Sequence, residues 1–378
     1  MEYKKLGDIA TYINGYAFKP EQRGNEGLPI IRIQDLTGNA YDLGYYNGDY
    51  PKKVELNDGD VLISWSASLG VYLWNRGKAL LNQHIFKVVF DKVEIDKFYF
   101  MYAVEYNLDK MSLKTHGATM KHITKKDFDN VVIPYPDLDY QKEVAYRLTS
   151  LKGIIENYKK QLDLLDELVK ARFVEMFGDL ESNSMNWEKS LLANKLNVIG
   201  GYAFRSSEFN ECEGIPVLRI GNINSGYFKP VNMVYWKENP RLSKYEVYPG
   251  DLVMSLTGTV GKDDYGNVCI LGNEYEMYYL NQRNAKLEIV NGLNKYYLTQ
   301  LLKFSCIKDK LTGINRGVRQ ANISNKDILD LVVPVPPLKL QNQFASFVQE
   351  IDKSRSRIQK SLEASQELFD SLMQEYFG

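Results

Sequence analysis

The chain has 378 residues, of which 44% are hydrophobic and 25% are charged, and its formal net charge at pH 7 is −1. These values are typical of a globular protein with room for two or three domains, and they exclude a fibrous or low-complexity chain. No apolar run approaches the ~20 residues of a membrane span, and the near-neutral charge argues against a strong nonspecific nucleic-acid binder.

The N-terminal residues and the cysteines indicate the cellular compartment of the protein. Residues 1–5 are followed by no apolar signal segment. The three cysteines, Cys212, Cys269 and Cys306, are odd in number and lack the spacing of a metal site. A reduced cytoplasmic protein that does not contact a membrane fits these features best.

Short apolar runs, broken by Gly, Asn, Asp and Pro, fill the first 140 residues and predict a mixed α+β domain. The predicted strands include residues 30–33, 61–65, 85–90 and 131–133, and a helix is predicted at 97–111. Pro134 and Pro136 then end the last strand and lead into a long helix, as proline does near a helix start.

The long helix is predicted at 141–177, because this stretch contains no proline and ends at Gly178. Its apolar residues recur in alternating steps of four and three, the heptad pattern of a helix-pair seam. The residues predicted to form this seam include Leu148, Leu151, Ile155, Leu162 and Leu165.

The rest of the chain repeats the first part. Residues 117–178 match 317–378 at a constant offset, and Gly-Tyr-Ala-Phe occurs at both 15–18 and 201–204. The repeat predicts strands at 217–220, 252–256, 285–290 and 331–333, and a helix at 293–309. The second long helix repeats the seam, with polar interruptions at Arg355 and Ser365, through Val348, Ile351, Ile358, Leu362 and Phe369.

Two long helices in a duplicated chain most simply pack against each other. If the pair is antiparallel, it predicts a pseudo-twofold arrangement of the two domains, the arrangement that half-sites related by a twofold axis demand. The alternative, that each helix packs only on its own domain, remains open at this point.

The sequence offers little support for catalysis. Residues 258–262 resemble a phosphate-binding loop but have Leu256 and Asp263 where glycine and Ser or Thr belong. No adenine-methyltransferase motif is found. The histidines His84, His116 and His122 align with Arg283, Arg316 and Asn322 in the second copy, a substitution that suits DNA contacts better than metal ligation. An enzyme of unknown type remains a weaker alternative.

Polar loops between the duplicated strands are predicted to contact DNA. Arg and Lys can bond to guanine and Asn and Gln to adenine, while other contacts hold phosphates. The candidates in the first copy are Tyr16, Lys19, Arg32, Ser64, Ser66, Asn82, Gln83, His116, Lys121 and His122. The candidates in the second are Tyr202, Arg205, Arg219, Ser255, Thr257, Asn281, Gln282, Arg316, Arg319, Gln320 and Asn322. Phe18 and Phe204 are predicted to be core residues.

Four motifs, each present twice and in the same order, resemble the specificity subunits of type I restriction-modification systems. They are Gly-Tyr-Ala-Phe-Lys/Arg, Pro-x-x-Arg-Ile from Pro29 and Pro216, Gly-Asp-hydrophobic from Gly59 and Gly250, and Pro-x-Pro-x-Leu-x-x-Gln from Pro134 and Pro334. The resemblance covers essentially the whole chain. The chain is on the short side for the family and nearly neutral in charge.

The resemblance implies two target recognition domains of mixed α+β fold, at 1–140 and 187–340. They are separated by helical spacers, at 141–186 and 341–378, which are expected to pair as an antiparallel coiled coil. It implies a non-catalytic subunit that reads a bipartite target in double-stranded DNA, which the differing loops predict to be asymmetric. The implied partners are two methyltransferase subunits, which bind S-adenosylmethionine, and motor-nuclease restriction subunits. This chain is expected to bind no cofactor and no metal. The alternative is a freestanding duplicated DNA-binding or scaffold protein that is not coupled to methylation.

Overall fold

The computed structural model describes residues 2–38, 43–114, 123–259, 264–312 and 320–378, with backbone alone at 109, 111–114, 320 and 321. The chain forms two compact units. The first unit comprises Met1–Lys160 with Gln359–Gly378, and the second comprises Gln161–Ile358. Within the described ranges, no helix is both long and apolar enough to cross a membrane.

The first unit is a mixed α+β domain. Its strands are β1 (Tyr3–Lys5), β2 (Thr11–Asn14), β3 (Leu28–Ile31), β4 (Gly44–Tyr46), β5 (Glu55–Leu56), β6 (Val61–Ser64), β7 (Gly70–Leu73), β8 (Ala79–Leu81), β9 (Ile85–Val89) and β10 (Val132–Pro134). Its helices are α1 (Leu6–Ile9), α2 (Ile33–Leu36), α3 (Lys97–Lys114), α4 (Lys125–Asp129) and the first part of α5 (Leu138–Phe177). Two four-stranded sheets run in the orders β2-β9-β6-β7 and β4-β3-β8-β5, and β1 pairs with β10.

The second unit repeats this plan. Its strands are β11 (Lys189–Leu191), β12 (Leu196–Gly200), β13 (Ile215–Leu218), β14 (Val234–Trp236), β15 (Glu246–Val247), β16 (Leu252–Ser255), β17 (Thr257–Thr259), β18 (Val268–Ile270), β19 (Tyr278–Leu280), β20 (Asn284–Ile289), β21 (Gln320–Asn322) and β22 (Val332–Pro334). Its helices are α6 (Lys295–Lys303), α7 (Ser305–Thr312), α8 (Asn325–Leu329) and the first part of α9 (Leu338–Phe377). The sheets are β12-β20-β16-β18 and β14-β13-β19-β15, with the pairs β11-β22 and β17-β21.

The surroundings of strand β6 explain why its sequence is a continuous apolar run. Val61 and Ile63 pack in the cluster that contains α3, whereas Leu62 between them packs in the cluster that contains β8. Both faces of the strand are therefore buried, and no polar residue alternates with the apolar ones. Strand β16 is used in the same way in the second unit, where Val253 faces one cluster and Met254 the other.

The duplicated glutamine of the Pro-x-Pro-x-Leu-x-x-Gln motif ties each long helix to its domain. The buried Gln141 side chain accepts a hydrogen bond from the Asp96 amide (2.9 Å) and donates to the Pro136 carbonyl (2.8 Å). Gln341 bonds in the same way to the Asn294 amide and the Pro336 carbonyl. The motif therefore forms a buried, hydrogen-bonded connection between each domain and its long helix.

The long helices run antiparallel to each other within each unit. In the second unit, Phe344 lies 5.6 Å from Phe177 between ring centroids, and Arg355 forms an ion pair with Asp166 (2.7 Å). Residue numbers therefore rise along α9, from 344 to 355, as they fall along α5, from 177 to 166. In the first unit the rings of Tyr140 and Tyr376 lie 6.5 Å apart.

Each residue of the predicted seam is buried or half-buried. Leu148, Leu151 and Ile155 are buried, and half-buried side chains occur at Leu162, Leu165, Val348, Ile351, Ile358, Leu362 and Phe369. The residues between them, such as Glu156 and Lys159, are exposed. The α+β fold class, with duplicated domains and two long helices, is confirmed.

One predicted helix is wrong. The stretch 293–309 forms α6 and α7 in place of a single helix, because Phe304 has an extended backbone and its ring packs 5.0 Å from Phe173. Helix α5 also begins at Leu138, before the predicted residue 141, and Asp137 accepts a hydrogen bond from the Tyr140 amide there. The predicted strands agree with the observed ones to within about two residues, the usual uncertainty of such boundaries.

Candidate nucleic-acid interface

The first component of the site is the Gly-Tyr-Ala-Phe loop, which occupies the same place in both units. A Cβ atom on Gly15 would lie 2.0 Å from the Asn82 carbonyl oxygen, and one on Gly201 would lie 2.1 Å from that of Asn281. Only glycine permits so close an approach of two backbones. Phe18 and Phe204 are buried behind the loop, as predicted.

The second component is the connection between β8 and β9, matched by that between β19 and β20. Its backbone is held from two sides. The Gln83 amide donates to the Tyr16 carbonyl (3.0 Å), and the Trp65 amide donates to the His84 carbonyl (3.3 Å). The second unit has the same two hydrogen bonds. The Gln282 amide donates to the Tyr202 carbonyl, and the Leu256 amide donates to the Arg283 carbonyl (both 2.7 Å).

The third component is the segment that follows β6 or β16. Ile123 donates its amide to the Trp65 carbonyl (3.1 Å), and Ile323 donates to the Leu256 carbonyl (2.8 Å). In the second unit this segment continues as β17, in which Thr257 pairs with Asn322 of β21. Four separate stretches of chain, including the one that contains Ile123 or Ile323, therefore meet at one edge of each unit, and the same hydrogen bonds join them in both copies.

A cleft of about 420 Å³ opens at this edge of the first unit. Most of its lining side chains carry hydrogen-bonding groups. They come from Arg23, Arg32, Gln34, Thr37, Ser68, Asn82, Gln83 and His84, together with Ile33 and Ala67. Such a surface can present donors and acceptors to base edges or phosphates.

The predicted contact residues differ in how accessible they are. Tyr202 is 38% exposed, and Lys19, Gln83, Arg205, Gln282 and Asn322 are exposed as well. Tyr16, Arg219 and Asn281 are half-buried. The exposed set is placed to meet a ligand without any rearrangement.

Five of the predicted contacts are buried, namely Ser64, Ser66, Asn82, Ser255 and Thr257. Ser64 and Ser255 are wholly covered, and Ser66 and Thr257 nearly so. The Ser64 hydroxyl donates to the Ser68 carbonyl, and the Ser255 hydroxyl accepts from the Asn267 amide (3.2 Å). These hydroxyls hold the adjoining loops in shape, and a direct contact with DNA would require the loops to open.

The duplicated arginines Arg32 and Arg219 are engaged by their own domains. The Arg32 Nε lies 3.0 Å from a carboxylate oxygen of the buried Asp35. The Arg219 guanidinium donates to the Asn232 carbonyl, and its amide donates to Asn222 (2.9 Å). Both arginines brace the start of the following short helix, while Arg32 also lines the cleft.

Some predicted contacts fall outside the described residues. They are His116, Lys121, His122, Arg316 and Arg319, and the side chain of Gln320 is likewise outside. Conversely, the structure adds Arg23, Gln34 and Ser68, which the sequence did not single out. His84 and Arg283 also belong to this edge. The sequence had aligned them, as a histidine and an arginine that follow the same Asn-Gln pair, but they were not among the predicted contacts.

Across the described ranges, no group of three His, Cys, Asp or Glu residues could hold a metal ion. The strongly raised tyrosine pKa values, as at Tyr12 and Tyr297, result from burial in the cores. Burial likewise raises the pKa of the Cys269 thiol to about 12, so this cysteine is not an activated nucleophile.

A sequence model of the type I restriction modification DNA specificity domain matches residues 1–166 and 185–366. The chain belongs to this family. The two matches correspond to the two copies found in the sequence and in the fold. Members of the family are the DNA-recognition subunits of type I restriction enzymes and catalyse no reaction, so the specificity subunit described here is a non-catalytic one.

Curated relatives extend over nearly the whole chain. The specificity subunit of the type I restriction enzyme MjaVIII from Methanocaldococcus jannaschii is 26% identical over 95% of this chain and 89% of its own length. The EcoBI specificity subunit from Escherichia coli is 21% identical over 94% of this chain and 80% of its own.

A solved structure shares the fold. The S subunit of a type I restriction-modification system from M. genitalium superposes with a TM-score of 0.59, although the sequences are only 16% identical. The match covers 100% of this chain and 96% of that one. The fold of a type I specificity subunit is therefore confirmed along the full length.

Proposed function

We propose that this specificity subunit reads a bipartite, asymmetric sequence in double-stranded DNA, one half with each unit. The observation that carries the proposal is the repeated edge, at which the same backbone hydrogen bonds hold side chains that differ between the copies. A shared scaffold with divergent exposed side chains is what two readers of different half-sites require.

The length of the two long helices supports a role as the spacer between the two units that read the half-sites. Each is 40 residues long, and each contributes one part to the first unit and the other to the second. At ~1.5 Å per residue such a helix extends about 60 Å, which accommodates half-sites roughly one turn of DNA apart.

The proposal includes recruitment of two methyltransferase subunits and of restriction subunits. Apolar side chains remain exposed on the long helices outside the seam. Leu168 on α5 is 46% exposed, Leu368 at the matched position of α9 is 52% exposed, and Leu164 beside Leu168 is 50% exposed. Exposed apolar residues at duplicated positions are typical of a surface that binds two copies of one partner.

S-adenosylmethionine belongs, in this proposal, to the methyltransferase subunits, and this chain contributes only recognition. The net charge of −1 supports dependence on partners, because a nearly neutral protein gains little from general attraction to phosphates. A freestanding DNA-binding or scaffold protein would act without them.

Affinity purification of the tagged full-length chain from its host tests recruitment. We expect the wild-type chain to retain a methyltransferase, and the Leu168→Asp, Leu368→Asp double variant to lose most of it, because a carboxylate would replace apolar contact area. Lys159→Asp, at an exposed position of α5, is the matched control and should retain the partner. Equal retention by the double variant would contradict this surface, and no methyltransferase with any variant would favour the freestanding alternative.

A further inference from the structure

Three residues of the candidate interface, Ala67, His84 and Arg283, have a positive φ although they are not glycine. Among the described residues, those with positive φ that are not glycine are Ala67, His84, Asn183, Asn186, Asn232 and Arg283. Asn and His tolerate the left-handed region better than most residues, whereas Ala and Arg do not share that tolerance. Ala67 and His84 line the same cleft, and Arg283 occupies the position of His84 in the second unit.

The backbone conformation at these two positions is duplicated along with the fold. The φ angles are 72° at His84 and 76° at Arg283. In both units the preceding glutamine donates its amide to the Gly-Tyr-Ala-Phe loop. The carbonyl of His84 or Arg283 then accepts a hydrogen bond from the segment after β6 or β16. Tertiary hydrogen bonds therefore hold the same left-handed backbone angle in both units.

A purely structural role does not explain the side chains found there. Glycine adopts a positive φ without strain, and it would serve the turn better than histidine or arginine. Both side chains are nevertheless exposed to solvent, so packing does not account for them fully. His84 does rest against Trp65, with ring centroids 5.1 Å apart, which orients its imidazole at the mouth of the cleft.

The side chains at positions 84 and 283 differ, as is expected of two domains that recognise different bases. The preceding residue is the same in both copies, an exposed glutamine at Gln83 and Gln282. The next residue changes from an imidazole to a guanidinium on an otherwise identical backbone. A guanidinium fits the O6 and N7 acceptors of guanine, and an imidazole N–H can donate to the N7 of a purine.

We propose that His84 and Arg283 are specificity-determining residues that contact base edges, each in the half-site of its own unit, and that Arg283 contacts a guanine. This inference rests on the proposed reading of a bipartite target. The rigid turn fixes where each side chain projects, so that its identity sets the preferred base at one position of each half-site.

Glycine substitutions at these positions test the proposal without threatening the fold, because Arg283→Gly and His84→Gly relieve the strain at φ 76° and 72°. Each full-length variant is purified from the host with the partners it retains and is used to select duplexes from a random library. For Arg283→Gly we expect about tenfold to hundredfold loss of discrimination at one guanine of one half-site, with the other half-site unchanged. His84→Gly should relax one position of the opposite half-site, and His84→Arg should shift that position towards guanine.

The control is Lys189→Ala, which removes an exposed positive charge of the second unit away from the turn. It should select the same duplexes as the wild type. An unchanged selected sequence for both glycine variants would overturn the inference, as would uniformly weaker binding to all sequences, the behaviour of a phosphate contact. Failure of the wild-type protein to select any interrupted sequence would instead overturn the proposed function.

Discussion

At the scale of single residues, the glycines of the Gly-Tyr-Ala-Phe loops set the geometry of the recognition edge. Sequence repetition identified these loops and the buried Phe18 and Phe204. It did not identify why glycine is needed, because the contact between Gly201 and the Asn281 carbonyl joins segments far apart in the chain. A close approach of two backbones leaves no local signal beyond the glycine itself.

The Gly201→Ala substitution should therefore damage the second unit. Its Cβ atom would lie 2.1 Å from the Asn281 carbonyl oxygen and 2.7 Å from that of Leu280, so that the loop or the turn must move. We expect a loss of about 1–3 kcal/mol in the free energy of unfolding, as for other overpacked sites, measured by urea denaturation. Gly221→Ala is the matched control, because no atom lies within 4 Å of its Cβ position. Equal stability of the two variants would contradict this account.

The small polar residues show the limit of residue-level prediction. Ser64 and Ser255 were selected as DNA contacts because they lie near the end of a predicted strand, next to a loop that varies between the copies, and both are fully buried. Whether such a hydroxyl faces solvent or a neighbouring carbonyl depends on how the following loop folds back, which the spacing of residues does not encode. His84 and Arg283 present the reverse case, since their shared positive φ becomes visible only in three dimensions.

At the scale of elements, the seam of the long helices was predictable because a heptad pattern is a local property of the sequence. The break between α6 and α7 was not predictable, because Phe304 turns away to pack on Phe173 of another helix. The polar interruption at Arg355 likewise gained its meaning only from tertiary contacts.

Arg355 belongs to a network that holds the helix pair to the second domain. It pairs with Asp166 (2.7 Å), and Tyr227 donates its hydroxyl to the same carboxylate. The Arg355 guanidinium and the Lys303 ammonium both lie over the Tyr227 ring, at 5.1 and 4.9 Å from its centroid. Burial and, to a smaller extent, the hydrogen bond to Asp166 raise the pKa of the Tyr227 hydroxyl. Burial lowers the pKa of the Lys303 ammonium.

Removal of the anion from this network should be costly. Asp166→Ala leaves the half-buried Arg355 with only its longer ion pair to Asp352 (3.8 Å), and we expect the free energy of unfolding to fall by about 1–3 kcal/mol. The Asp166→Ala, Arg355→Ile double variant should recover most of that loss, because Ile155 occupies the matched seam position of α5. Urea denaturation measures both effects, with Asp163→Ala at an exposed site as the control. A double variant less stable than Asp166→Ala alone would refute the account.

At the scale of the whole molecule, duplication was the most reliable sequence signal, and it predicted two copies of one fold. The predicted boundaries at 140, 186 and 340 separate domains from helices and remain a prediction. The compact units divide the chain differently, within each long helix at Lys160 and Ile358. The difference arises because the ends of both helices pack in the domain cores, with Phe173 and Phe344 in one and Met373 in the other.

The most direct test of the central claim is a genome-wide map of methyladenine in the host, with and without this gene. The account predicts that deletion abolishes methylation at one interrupted, asymmetric motif and leaves all other motifs unchanged. Restoring the gene should restore that motif. An unchanged map, in a host where the partner methyltransferase is shown to be expressed, would contradict the claim that this chain directs methylation, and a perfectly palindromic motif would contradict the claim that its two units read different half-sites.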